Sequence, residues 1–195
     1  MIRCRIRLAD WRDRSVVQPL RALLLGPYRL DGGLYEFLTW PTFHVLLAEG
    51  EDGRGLGIAA ATLLPNGHAE DVGVAVLAEL RRAKLGTRLR AALARDLAIL
   101  GIRQWHADEP EREGPAWAFQ VATLGAPTRH FLSPDGTRYG AWCRAVVEVA
   151  DALGAGTLTT FSRERLESKA RQAAVKHTNL AAVQAFCVAK AAAGG

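Results

Sequence analysis

The sequence predicts an α/β (α+β) fold: an antiparallel strand meander with flanking helices and a helical C-terminal extension. Three observations carry this expectation. Short apolar runs of period 2 alternate with longer apolar runs at helical spacing. Three strand-like runs follow one another between tight turns, which makes an antiparallel meander. A strand, a basic turn and a leucine-striped helix then succeed one another over residues 72–101.

In chain order, Ile2, Cys4, Ile6 and Leu8 alternate with Arg3, Arg5 and Arg7, an amphipathic strand ending at Ala9 and Asp10. Over 13–25, Val16, Val17, Leu20, Leu23 and Leu24 share one helical face, and Gly26-Pro27 stops the helix. A short helix is expected at 34–40, in an aromatic segment that either packs on the core or lines a substrate pocket. Residues 43–49 and 58–64 read as strands joined by G-E-D-G-R-G-L-G. That turn looks like a phosphate loop, but Pro65 ends the next apolar run too soon for the helix such a loop requires. It reads as a glycine-rich hairpin. P-N-G-H leads into a strand in which Val72, Val74 and Val76 alternate with Gly73 and Ala75 and so share one buried face.

Leu85, Leu89, Leu93, Leu97 and Leu100 recur at helical spacing, with Gly101 as the cap. Residues 102–107 read as a strand and D-E-P-E-R-E as an exposed acidic loop. A helix over 116–124 is opened by Gly114-Pro115 and closed by Gly125, and 128–132 reads as a further strand. Trp142, Val146, Val149 and Leu153 give helical spacing over 138–153. T-L-T-T-F suggests a strand, Ser162 caps a helix, and a last helix passes Leu180, Val183, Phe186 and Cys187. The organisation is a core over 1–137 and a helix-rich extension over 138–195. The extension's apolar stripes are covered by completing the sheet, by packing on the core or by a homodimer.

Composition narrows the function. A chain of 195 residues, 49% hydrophobic and 23% charged, suits one folded domain with a proper core. A net charge of +5 favours anionic partners without choosing between a phosphate-rich cofactor and nucleic acid. Cys4, Cys143 and Cys187 are odd in number and widely spaced, as idle thiols in a reducing cytoplasm would be. The start M-I-R-C-R-I-R is too charged for a signal peptide, and no apolar run reaches membrane-spanning length. His44, His68, His106, His130 and His177 lack metal-ligand spacing, and neither G-x-x-x-x-G-K-[ST] nor G-x-S-x-G occurs. The helix beginning near Leu85 is the best anion site. Its first amides lack intrahelical acceptors, its dipole favours negative charge, and Arg81, Arg82 and Lys84 stand beside it. This combination suits the diphosphate of a nucleotide-containing cofactor.

The order of elements over roughly 1–132 resembles that of the GNAT-type acetyltransferases. Where that family commonly reads V-x-P-x-x-R-x-x-G-x-G, residues 76–86 read V-L-A-E-L-R-R-A-K-L-G. Val76, Arg81 and Gly86 are in register, Ala78 stands in place of proline, and Lys84 replaces the first glycine. The resemblance implies a mixed, largely antiparallel sheet, with acetyl-CoA, or another acyl-CoA, seated in a wedge between two parallel strands that splay apart, at 72–77 and 102–107. Val74 and Val76 would pair with the pantetheine arm, and Arg81, Arg82, Ala83, Lys84, Leu85, Gly86 and Thr87 would hold the diphosphate. The wedge needs a bulge, and divergence is expected at Ala78-Glu79.

The same resemblance implies acyl transfer to a primary amine of a small molecule, peptide or protein. Glu70 stands where the family often has its base, His68 in the adjoining turn is a second candidate, and Asp71 points to the opposite face. The family's N-x-x-A-x-x-x-Y-x-x-x-G-F aligns through Gly125 alone. Gly114, Trp117, Val121 and Ala126 take the places of its asparagine, alanine, tyrosine and aromatic residue. The acid that protonates the departing sulfur must then be Tyr139, Tyr28, Tyr35 or water. Two other readings stay open. One is a CoA-binding protein of the same fold with little or no turnover. The other is a nucleic-acid module using Arg163, Arg165, Lys169, Arg171 and Lys176.

Overall fold

Among the described residues, seven strands build one sheet: β1 (Arg5–Leu8), β2 (Phe43–Glu49), β3 (Gly55–Leu64), β4 (His68–Val76), β5 (Gln104–Pro110), β6 (Arg129–Leu132) and β7 (Arg138–Ala145). The helices described beside it are α1 (Arg14–Leu25), α2 (Leu34–Thr39), α3 (Leu85–Ile99), α4 (Pro115–Leu124) and α5 (Val146–Ala152). The computed structural model describes residues 3–25 and 33–154. The expected elements after Gly154, the basic tail and Tyr28 lie outside the described residues. The spatial order is β1-β2-β3-β4-β5-β7-β6, and among these strands only β4 and β5 run parallel. The mixed, largely antiparallel sheet expected from the sequence is present.

Helices cover both faces. The leucine stripe of α3 is buried against Leu46, Ala59, Trp105, Trp142 and Val146, in a layer shared with α4 and α5. Burying each leucine stabilises the fold by about 1.5–3 kcal/mol, so this stripe anchors α3. On the other face, Val17, Leu20 and Phe37 from α1 and α2 meet Val45, Leu47, Ile58 and Ala75. At the sheet edge, Arg7 bridges Asp13 at 2.7 Å and Glu49 at 2.8 Å, which ties β1 to β2 and to the approach to α1.

Three local expectations change. The first concerns 138–153, where β7 precedes a short α5. Trp142 and Val146 are four residues apart, a separation that suits one face of a helix and, being even, one face of a strand. The free edge of β5 and the pairing strand β6 settle the choice in favour of a strand. The second concerns the acidic D-E-P run, which belongs to β5 because β7 pairs with that strand as far as Pro110↔Tyr139.

The third lies within β4. Ala60 pairs with Gly73 and Ala61 with Asp71, so Val72 is an extra residue in a β-bulge. Gly73 has φ 124°, a conformation open to glycine and strained for other residues. The bulge reverses the strand's alternation. Val72 packs toward α1 and α2, whereas Val74 and Val76 pack toward α3, so the three valines do not share a face. The ladder between β4 and β5 contains His68↔Gln104, Ala69↔Trp105 and Glu70↔His106, and ends there. The strands therefore part at the bulge rather than at Ala78-Glu79. A bulge breaks the ladder locally and bends its strand, which is why the fork opens where it sits.

Candidate active site

Beyond the fork, the edge of β4 that turns away from β3 has no strand against it among the described residues. Its main-chain groups lead toward the start of α3. Between them, Ala78–Leu80 makes one 3₁₀ turn, and Arg82 and Lys84 then adopt left-handed φ values of 66° and 60°. The lysine that replaces a glycine therefore takes up the backbone conformation glycine adopts most readily, at a cost of about 1–2 kcal/mol. No side chain caps α3, so its first N–H groups keep their capacity for an outside acceptor.

Arg81, Arg82, Ala83 and Lys84 are exposed, Gly86 and Thr87 are half-buried, and Leu85 is in the core. A Cβ at Gly86 would lie 3.4 Å from the Phe119 ring and 3.7 Å from Val74. The glycine thus marks the point where β4, α3 and α4 converge. Uncapped amides, surrounding cations and an unpaired strand edge fit an extended ligand that carries a diphosphate.

On the helix side of the fork lies a dry polar array. Arg90 of α3 donates from Nη2 to Asp71 Oδ2 at 2.7 Å and from Nη1 to Gln120 Oε1 at 2.6 Å. Gln120 Nε2 donates to the same Asp71 oxygen at 3.1 Å. Both charged side chains are 1% exposed. The guanidinium lies between the rings of Trp105 and Phe119, at 5.4 and 4.8 Å from their centroids. Asp71 Oδ1, Arg90 Nε and Trp105 Nε1 are buried without a hydrogen-bond partner among the described residues. Nearby on β5, burial pushes the Glu109 carboxyl above the usual carboxylate range.

On the opposite side lies an open cleft of about 550 Å³, whose lining includes Glu70, His106, Asp108, Arg129, Phe131 and Cys143. Glu70 is exposed there. His68 and His106 are half-buried on neighbouring strands, with His68 Nδ1 and His106 Nε2 2.8 Å apart. Burial, then the charge of His68, hold His106 below the usual histidine range, while Glu70 acts in the other direction. Tyr139 lies on the same face of β7, across from Pro110, with its ring stacked on Phe131 at 5.2 Å.

The structure therefore brings Glu70 and His68 to one place and gathers residues 81–87 at another, with the edge of β4 between them. Tyr139 shares the cleft's sheet face but sits one strand further out. Sequence reasoning missed the pairing of His68 with His106, which depends on parallel register between distant segments. It also missed Arg90, although a charged residue beside Leu89 on an otherwise apolar stripe is a usable signal. Gly73 inside a strand likewise pointed to the bulge.

Other features are structural or lie apart. His44 Nε2 and Asp96 Oδ2 are 2.9 Å apart with both side chains fully buried, in a contact that joins β2 to α3. Trp105 is 1% exposed and belongs to the core rather than to the acceptor surface. A second hollow, about 720 Å³, lies by Arg3, Arg5, Glu49 and Arg88, away from the cleft. Among the described residues, no cluster of three or more His, Cys, Asp or Glu could hold a metal, and no helix is long and apolar enough to cross a membrane.

No family model matches the sequence, and no curated protein matches it significantly. Solved structures do match the fold. A GNAT-family protein from Desulfovibrio desulfuricans is similar with a TM-score of 0.61 and 18% identity, over 74% of this chain and 99% of the other. The ribosomal-protein-S18-alanine N-acetyltransferase of Escherichia coli gives a TM-score of 0.55 and 14% identity, over 74% of this chain and 94% of that one. A mutant of the spermidine N-acetyltransferase of Vibrio cholerae gives 0.61 and 10%, over 76% and 97%. At these identities the likeness is one of fold.

Proposed function

We propose that this chain, with its GNAT fold, is an acyl-CoA-dependent N-acyltransferase that moves an acetyl or similar acyl group to a primary amine. One observation carries the reading. A strand edge unpaired among the described residues runs from the uncapped, cation-flanked start of α3 to the fork at which Glu70 faces an open cleft. Acyl-CoA would supply the activated thioester. The amides at residues 84–87 would bind its diphosphate, with Arg81, Arg82 and Lys84 adding charge, while the Ala83 N–H donates to the Leu80 carbonyl. The main chain at Val74 and Val76 would pair with its extended arm.

Within the cleft, the Glu70 carboxylate attracts an ammonium group and is placed to assist its deprotonation, with His68 close by. Tyr139 is the proposed hydroxyl that returns a proton to the departing sulfur. Substrates with a small or peptidic amine both suit a cleft that is open to solvent. That relatives in fold include enzymes whose names specify a protein alanine and a polyamine supports an amine acceptor without selecting its size.

The test is release of free thiol from acetyl-CoA when the full chain is offered a panel of primary amines. Thiol release with at least one amine, together with a thermal shift on adding the coenzyme, is expected. A thermal shift without thiol release would identify a binding protein that lacks turnover. No shift and no release would overturn the reading.

A further inference from the structure

We infer that His106 is the base that takes a proton from the bound amine, and that His68 is the positioning residue that equips it to do so; the inference rests on the acyl-transfer reading above. The contact between His68 Nδ1 and His106 Nε2 admits one proton, carried by one nitrogen or the other. When His106 Nε2 carries it and donates to His68 Nδ1, the Nδ1 of His106 keeps a lone pair to offer the cleft. His68 then holds its own proton on Nε2. The two rings lie 7° from parallel, with centroids 5.0 Å apart, on the last paired stretch of β4 and β5 before the fork. The pair is thus placed at the end of the path assigned to the acyl donor.

The charged and titratable groups around His106 are Glu70 on β4, Asp108 on its own strand, Cys143 across on β7 and Arg129 on β6. Burial and His68 favour the neutral ring, Glu70 favours the charged one, and Arg129 opposes charge again. A neutral imidazole is a better match to proton removal near neutral pH than an exposed carboxylate, whose stronger contribution is as counter-ion to the incoming ammonium. The two roles divide accordingly. The amine binds as ammonium beside Glu70 and gives one proton to His106 Nδ1. Its freed lone pair forms the N–C bond to the acyl carbon as the C–S bond breaks. Tyr139 gives its hydroxyl proton to the thiolate sulfur and is reprotonated by the second proton shed by nitrogen, and His106 returns its proton to solvent.

The experiment is the pH profile of kcat and KM for the full chain with acetyl-CoA and its best amine, in four variants. His106→Gln is expected to lower kcat about 100-fold and to remove the acid limb. His68→Ala is expected to lower kcat about tenfold and move the acid limb to higher pH, because the charge of His68 no longer opposes protonation of its neighbour. His68→Asn restores an acceptor for His106 Nε2–H and should recover kcat to within about threefold. Glu70→Gln should raise the amine KM and move the acid limb to lower pH.

An independent readout is the NMR titration of the imidazole resonances in the ligand-free chain. His106 should titrate below the usual histidine range, and move upward in His68→Ala. These resonances and the His68 variants decide the matter if His106→Gln fails to fold. An active enzyme in which His106→Gln keeps its acid limb and kcat within twofold would overturn this inference alone. So would two imidazoles that titrate independently. A wild-type chain that releases no thiol with any amine would remove the acyl-transfer reading and this inference with it.

Discussion

Glu70 and Asp71 are adjacent carboxylates on one strand, yet the pleat of β4 sends them to opposite faces of the sheet and into opposite surroundings. Glu70 faces an open cleft beside a histidine pair. Asp71 is sealed beneath two helices, where Arg90 and Gln120 occupy one of its oxygens and the other has no partner among the described residues. The difference shows how one residue type takes two roles a single position apart. A solvated charge is free to meet a ligand, whereas a dry charge is committed to the partner that makes its burial tolerable.

The largest effect expected from this contrast belongs to the dry side. Asp71→Asn should destabilise the fold by about 3–5 kcal/mol, since Arg90 would be left buried and uncompensated. Thermal denaturation would register that as a fall of about 10 °C or more. A loss below about 1 kcal/mol would mean that water reaches the pair. Adding Arg90→Met to the same chain should recover part of the loss, because it removes the stranded charge.

Next comes the corner that connects the two faces. Gly86→Glu places a carboxylate and extra bulk beside Phe119 and Val74, where the diphosphate is assigned. The thermal shift produced by acetyl-CoA should vanish, corresponding to binding at least tenfold weaker. An unchanged shift would move the diphosphate elsewhere.

On the wet side, Glu70→Gln should alter stability by no more than about 0.5 kcal/mol, as exposed substitutions usually do. The same variant should raise the amine KM severalfold in the thiol-release assay. A large fall in melting temperature would show that Glu70 is a structural group after all. The smallest effect concerns Lys84, held at φ 60°. Lys84→Gly relieves left-handed strain but adds chain entropy to the unfolded state, for a net gain of about 0.5 kcal/mol. Coenzyme binding should weaken a few-fold as the charge is lost, and a titration of the melting temperature against coenzyme would separate the two.

Much of this was legible in the residues. The leucine stripe of α3, the meander of β2, β3 and β4, and the Pro115 and Gly125 boundaries of α4 all rest on local pattern and turn chemistry, which neighbours along the chain suffice to set. The basic turn before α3 was legible for the same reason. The strand at Arg138–Ala145 was not, because its even spacing satisfied a helix and only β5 and β6 decide between them. Nor was the reversal at Val72, since Gly73 within the alternating valines signals a bulge without saying which residue the partner strand skips.

By itself, the order of residues determined most of the elements, the antiparallel meander and the basic turn before α3, because each follows from hydrophobic period, capping and charge over a few turns of chain. Tertiary structure alone decided where β4 and β5 part, which carboxylate is dry, and that His68 meets His106. Those outcomes depend on register between segments far apart in sequence. A shift of one residue in that register exchanges the two faces of a strand, and with them which side chains reach solvent.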